Sequence, residues 1–386
     1  MKIIKRGLLM LVFTALLAGC SSDVVEISDV ALVMMTAIDY DEKKHLYIFT
    51  INCLESSTNN SNNSENKSEW IASASGKSIF EAARNLRSRA GKILVWQHDK
   101  FFLLGESAAR RSIYEVVDFL TRTRDIRLSS FLIVSEGKAT ELMRTKAETG
   151  DLISNEMLGR INNEQLWGKS LSITIKDIAN YYPDPYRGFV TGKLSKFKPI
   201  GSKHEVNILS GASVFQNGKL KDWLSKDDTL SMHIIVNKKY WRALEFAEYV
   251  PFKSLKVGMR MRVAKRSMKL VQIDGKPGIA IRIRVVGTVT SINHRVNLAN
   301  PARLRELENE SGQYMEKQLK QSLDRFQHQL KTDIVGLSDY IRRYHPNDWK
   351  QMSKDWVTNV YPSMPVRIDV DVAIPTIGMS DVLGGP

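Results

Sequence analysis

Three features of the 386-residue sequence predict an α+β fold. Between Trp70 and Gly192, short apolar runs with strand character alternate with amphipathic helical stripes. Beyond Gly192 come closely spaced strand segments separated by turn dipeptides. A long amphipathic helix starting near Pro301 and one strictly alternating strand come last. With 43% hydrophobic and 25% charged residues, the composition is that of a folded body with an ample core, and the length suits two or three domains.

The N-terminus predicts how this body is held. Lys2, Lys5 and Arg6 form a positive region ahead of Gly7–Ala18, an apolar run whose only polar residue is Thr14. At about a dozen residues it falls short of the roughly twenty needed to span a bilayer as a helix, and it has the length of a signal core. Leu17-Ala18-Gly19-Cys20 then resembles the bacterial lipobox. Residues 1–19 are accordingly expected to be a lipoprotein signal peptide, and Cys20 the site of lipid attachment through a diacylglycerol. A single acyl chain binds a membrane marginally, at about 0.8 kcal/mol per buried CH₂, whereas two chains anchor stably. No later stretch is apolar and long enough to cross a bilayer, so anchoring would rest on Cys20 alone. The second cysteine, Cys53, then lacks a disulfide partner and is expected to be a small buried strand residue.

The formal charge is +14, or +11 once Lys2, Lys5 and Arg6 are removed. For an exported lipoprotein this points to anionic lipid or an acidic protein partner. The basic groups are Arg84, Arg87, Arg89 and Lys92; Arg110, Arg111, Arg122, Arg124 and Arg127; and Lys253 to Lys269. None is interleaved with aromatic residues as a base-stacking surface would be, so nucleic acid is not an expected partner. Taken singly, each group reads as a solvated face.

In chain order, Val30–Ile38 is a strand, Asp39 to Lys44 a turn, and Leu46 to Ile51 a second strand. Residues 56–69, polar and low in complexity, cannot bury a core and are expected to form a surface loop. Gly76-Lys77-Ser78 opens a helix with Ile79, Ala82, Ala83, Leu86 and Ala90 on one face. Phe101–Leu104 is a strand, Ile113, Val116, Val117 and Leu120 mark a helix, Phe131–Val134 is a strand, and a helix covers about Ala139 to Arg144. Pro183-Asp184-Pro185, Gly188 and Gly192 punctuate the end of this unit. Asn217-Gly218 and Asp274-Gly275 are hairpin turns. Leu304, Leu307, Tyr314, Leu319, Leu323, Phe326 and Leu330 stripe the long helix, and Asp333 to Tyr344 continues or restarts it. His345-Pro346 breaks it. Asn347 is expected to cap a short helix carrying Trp349 and Trp356 as core contacts. Val366, Ile368, Val370, Val372 and Ile374 alternate as a final strand.

Tests for chemistry fail one after another. A P-loop needs a glycine where Ile71 stands, so Ser78 is read as a helix cap. The histidines at 45, 98, 204, 233, 294, 328 and 345 lie too far apart for a short metal motif, and HExxH is absent. Gly211-Ala212-Ser213-Val214-Phe215 lacks the last glycine of a nucleophile elbow. Asp369 and Asp371 share a strand face and are read as its wet side rather than as an acid–base pair. No catalytic, cofactor-binding or metal-binding residue is expected.

With these residues in place, the chain resembles the Ger(x)C family, the lipoprotein C subunits of bacterial spore germinant receptors. Cys20 is followed by Glu26-Ile27 and the Ala31–Asp39 strand, as at that family's start. Residues 76–110 are similar to its strongest N-terminal block, and Asp118-Phe119-Leu120-Thr121-Arg122 with Asp125 and Arg127 to the next. Residues 211–224 resemble the middle block; residues 333–356 and the strand through Ile374 and Gly378 resemble the C-terminal end. Departures are Ser21-Ser22 in place of Trp-Asp, the Asn/Ser loop, and Val335-Gly336-Leu337-Ser338 in place of a Phe-Gly-rich run.

The resemblance implies three consecutive mixed α/β domains on a lipid anchor. Their bounds here would be 20–192, a middle β-rich unit at 193–257, and 258–386 with the long amphipathic helix. It also implies a non-catalytic role in the inner membrane of the spore, on the outer face of the cell membrane. The implied partners are a polytopic A subunit and a transporter-like B subunit, in a complex that senses nutrients and triggers ion and dipicolinate release. The alternative is a membrane-anchored solute-binding lipoprotein, which needs a deep cleft with convergent polar groups.

Overall fold

The computed structural model describes residues 29–55, 69–236, 244–294, 298 and 300–377. The signal segment, Cys20, most of the expected 56–69 loop and Gly378 lie outside the described residues. The chain runs β1 (Val30–Asp41), β2 (Leu46–Glu55), β3 (Glu69–Gly76), α1 (Ile79–Asn85), α2 (Arg87–Ala90), β4 (Ile93–Val95) and β5 (Phe101–Gly105). Next come α3 (Glu106–Arg111), α4 (Ile113–Arg122), β6 (Phe131–Ser135), α5 (Ala139–Met143), α6 (Ile153–Trp167), β7 (Ile173–Thr174) and α7 (Ile175–Tyr181). Then follow β8 (Phe189–Phe197), β9 (Val206–Gln216), β10 (Lys219–Leu224), α8 (Lys226–Val236), β11 (Glu245–Phe252), β12 (Leu255–Ile273) and β13 (Lys276–Ile292). The last elements are α9 (Pro301–Asp324), α10 (Leu337–Tyr344), α11 (Pro346–Met352) and β14 (Val366–Thr376).

Two sheets result. The first has the order β10-β9-β8-β6-β5-β1-β2-β3, with β4 beside β1 and β7 beside β6. Its centre is parallel: β1 with β4 and β5, β5 with β6, and β6 with β8. Parallel strands are normally covered on both faces, and alternation along β5 and β6 shows it here. Phe102, Leu104, Leu132 and Val134 enter one core, against Ile79, Ala82, Ile113, Val116 and other residues of α1, α3, α4 and α7. Phe101, Leu103 and Ile133 enter a second core on the opposite face, against Ala139, Leu142, Met157 and Ile161 of α5 and α6.

The second sheet has the order β11-β12-β13-β14 and is antiparallel except between β13 and β14. The segment expected as a middle β-rich unit, 193–257, is shared between the two sheets. β8 starts at Phe189 and pairs with β6, so β9 and β10 extend the first sheet, while β11 starts the second. Helix α9 covers β14, the edge strand. Asn300 caps it, its side chain accepting from Ala302 N at 2.9 Å, with Pro301 at the first helical position. Glu316 and Glu308 accept the outward N–H groups of Val370 (2.9 Å) and Ile374 (2.8 Å), so the free edge is satisfied by side chains. A Cβ on Gly312 would lie 2.7 Å from Val370 O; this close helix–strand approach requires the glycine.

Several expectations change on folding. Asp39 does not turn; β1 continues to Asp41 and the turn lies at 42–45. Helix α10 restarts after Gly336, at φ 72°, and Asp333 accepts from Gly336, Leu337 and Ser338 N–H groups at 2.7, 2.9 and 2.7 Å. Asn347 does not cap α11, because Pro346 already occupies the first helical position and His345 stands at the cap. Trp356 belongs to a separate helical turn, 356–360, and meets Trp349 ring to ring at 5.2 Å.

Candidate interaction surface

The residues tested for chemistry are used for folding. Ser78 caps α1, accepting from Glu81 N at 3.1 Å, and a Cβ on Gly76 would lie 2.4 Å from Ala82 N. Gly211 has φ 80° and faces Leu224 O, which a Cβ would approach to 2.4 Å, so the backbone requires that glycine. The hydroxyl of Ser213 is buried and donates to Thr191 O at 2.9 Å. Asp369 and Asp371 face Arg282 and Arg284 across the β13–β14 register at 3.8 and 3.6 Å, as exposed ion pairs that stabilise little. Among the described residues no group of three or more His, Cys, Asp or Glu side chains is placed to hold a metal ion. Cys53 is buried in β2, and burial, with Asp99 nearby, pushes its thiol up to about 12. It is no nucleophile at neutral pH.

Two buried carboxyls organise the first sheet. Asp39 accepts from Ala139 N (2.7 Å), Thr140 N (2.9 Å) and Thr140 Oγ1 (2.7 Å), fixing the start of α5. Asp99 is buried beneath the start of β5, where Thr36 Oγ1 (2.5 Å) and Phe101 N (3.2 Å) donate to it. Burial outweighs these bonds and pushes its carboxyl up to about 8. The folded state therefore holds a proton that the unfolded chain releases near pH 4. The associated stability is complete below about pH 4 and is lost as pH rises through about 8, at no more than about 1.4 kcal/mol per pH unit. Urea unfolding at pH 5, 6.5 and 8 is expected to show wild-type stability falling more steeply than that of Asp99→Asn. Equal slopes would contradict a protonated Asp99.

Where the two sheets meet, polar groups are committed to one another. The buried Arg187 pairs with Asp339 and lies 4.5 Å from the Tyr181 ring centroid. Arg342 bridges Asp184 and Asp339 at 2.8 Å each. Tyr340 donates to Met268 O at 2.8 Å, and Arg266 donates to Ile235 O, burial lowering the Arg266 guanidinium to about 10. A pocket of about 920 Å³ opens among Arg266, Asp339, Tyr340, Arg342, Arg343 and His345. Of its donors, Arg266 already joins β12 to α8, Tyr340 joins α10 to β12, and Arg342 joins α10 to Asp184.

A different surface lies at the other side of the first sheet. Ser78 starts α1 so that Ile79, Ala82 and Leu86 face the core, which turns Phe80, Arg84 and Arg87 outward. Gly91, at φ 61°, ends α2 in the left-handed conformation and sends the chain into β4. There Ile93 pairs with Val30, the first residue of β1. Phe80 and Ile93 are 59% and 53% exposed and line a groove of about 390 Å³ with Arg84, Arg87, Lys92 and Trp96. The Arg84 guanidinium stands 5.6 Å from the Phe80 ring centroid. The groove continues between α1 and α4 past Tyr114, Phe119 and Arg122. The sequence groups the cations Arg84 to Lys92 but not the apolar residues among them. Phe80 lies off the helical stripe, and Ile93 is placed only by its pairing with β1.

Comparison with known proteins agrees with this architecture. Residues 23–196 match the spore germination protein N-terminal domain, and residues 210–378 match the "Spore germination B3/ GerAC like, C-terminal" family. The chain is 25% identical over 381 residues to spore germination protein B3 of Bacillus subtilis, covering 95% of this chain and 96% of that one. It is 22% identical over 383 residues to spore germination protein GerQC of Bacillus cereus, covering 98% and 100%. In fold it is similar to the crystal structure of the GerBC protein, with a TM-score of 0.59 and 22% identity over 88% of this chain and 96% of that one. The chain therefore belongs to the GerAC family of spore germination proteins, the germinant-receptor C subunits that its sequence resembles.

Proposed function

We propose that this chain is a lipid-anchored, non-catalytic subunit of a nutrient germinant receptor, held by a diacylglycerol on Cys20 at the outer face of the cell membrane and, in the spore, at the inner membrane. The observation that carries the reading is the ordered match of both family halves, residues 23–196 and 210–378, directly after a lipobox ending at Cys20. The polytopic A and transporter-like B subunits are its partners. Tethering makes their encounter effectively intramolecular, so contacts of modest strength suffice. The side chains searched for chemistry agree with a non-catalytic role: Ser213 and Cys53 are buried in the core, and Asp369 and Asp371 are engaged with arginines. Solute capture is supported less well, because Arg342, Tyr340 and Arg266 around the 920 Å³ pocket already bond within the protein. Crosslinking in spore membranes followed by co-isolation tests the proposal. Recovery of a transporter-like and a second polytopic membrane protein is the expected result, and recovery of this chain alone would contradict it.

A further inference from the structure

We propose that the end of the first sheet where β1 begins docks onto the anionic headgroup layer of the bilayer, with Phe80 and Ile93 as apolar contacts and Arg84, Arg87 and Lys92 as charge contacts. This goes further than anchoring: it states which face of the folded body meets the lipid, and it rests on the acylation of Cys20 proposed above.

Three observations converge on this face. The first is chain length. Val30 begins β1 ten positions after Cys20, and an extended chain covers at most about 3.5 Å per residue, so this end of the sheet stays within about 35 Å of the lipid. The opposite end of β1 lies about 40 Å from Val30, since its 12 residues rise about 3.3 Å each, so the tether holds it far less closely. The second is topology. β4 pairs with Val30–Leu32, and β5 and β6, parallel to β1, begin beside Met35, so β4 and the 123–130 loop that leads into β6 lie toward this end. That loop adds the exposed Arg124, Arg127 and Leu128.

The third is chemistry. A groove wall that interleaves cations with exposed Phe and Ile side chains suits a headgroup layer, where charge meets phosphate and apolar tips reach the acyl boundary. Asp125 is the acidic side chain among the residues lining the groove. In the continuation between α1 and α4, Asp118 pairs with Arg122 at 2.7 Å and Glu115 with Arg111 at 3.6 Å, so those carboxylates are offset locally.

The test uses the full chain, isolated from membranes and reconstituted into phosphatidylglycerol vesicles that carry a nitroxide-labelled lipid. Cys53 is buried, so a fluorophore can be placed at Ile93→Cys or, as the control, at Ile200→Cys. Ile200 is fully exposed and follows β8, which runs parallel to β6, so it lies at the far end of the sheet. The lipid-borne quencher is expected to lower emission from position 93 about two-fold or more and to leave position 200 unchanged. Exchange into phosphatidylcholine, or the combined Arg84→Glu, Arg87→Glu and Lys92→Glu variant, is expected to abolish the difference. Equal emission from both positions would overturn the docking face while the chain stays with the vesicles. Protection of position 93 from an aqueous quencher without quenching by the lipid would also overturn it, and would assign the groove to a protein. The parent chain, with only Cys20 and Cys53, separates the two proposals: labelling there would expose a free Cys20 thiol and overturn the anchor, whereas the contrast between 93 and 200 reports on the face.

Discussion

Cys20→Ala is expected to move the chain from the membrane to the soluble fraction and to remove its share of germination. Among the described residues no helix is long and apolar enough to cross a membrane. The remaining attractions are the basic side chains near β4, each contributing about 1 kcal/mol at an anionic surface and screened by salt. Two acyl chains contribute about 0.8 kcal/mol for every buried CH₂, an order of magnitude more in total, so the lipid proposed on Cys20 would dominate. Once the tether is gone, the encounter with integral partners is bimolecular again and contacts of ordinary strength are diluted away. Fractionation of spores at matched abundance, with a high-salt wash, reads the first effect, and germination rate the second. A soluble variant that germinates like wild type would contradict the account.

Trp356→Ala is expected to destabilise the second half of the chain by about 3–5 kcal/mol, the cost typical of removing a buried aromatic side chain. Trp356 is 1% exposed and sits between Trp349, at 5.2 Å, and Tyr361, at 5.9 Å between ring centroids. Trp349 in turn meets Tyr186 edge to face at 5.0 Å, so the cluster ties the last helical turns to the segment before β8. A loss of that size is a large share of the roughly 5–15 kcal/mol that holds a domain folded. Trp356→Phe is expected to keep most of the stability, because it retains an aromatic core contact and gives up an Nε1 that has no hydrogen-bond partner among the described residues. Urea unfolding followed by circular dichroism measures both. A change below about 1 kcal/mol for the alanine variant would show that the cluster collapses without cost.

Much of the fold was legible where a local signal was complete. The stripe Ile113, Val116, Val117 and Leu120 is buried along α4, and both Asn217-Gly218 and Asp274-Gly275 turn with positive φ at each residue. Pro301 opens α9 on a capping Asn300, and Ile368, Val372 and Ile374 are buried along β14. Helices α3, α6, α7 and α8 were not legible, and two of them show why. In α8 every residue from Thr229 to Ile235 is buried, so no polar face marks the helical period. In α6 a buried Glu164, satisfied by Ser170 and Ser172, interrupts the apolar stripe of Ile153, Met157 and Ile161. Asp39 read as a turn residue because its partners, Ala139 and Thr140, are a hundred positions away. The docking face has the same character: its apolar members come from α1 and β4 and are brought together by pairing with β1. The lipobox is the reverse case, a contiguous signal that needs no fold to be read.

Mass spectrometry of the N-terminal peptide from the membrane-bound protein tests the central claim most directly. The account predicts a chain that begins at Cys20 and carries a diacylglycerol on its sulfur. A chain beginning elsewhere, or a Cys20 with an unmodified thiol, would contradict it.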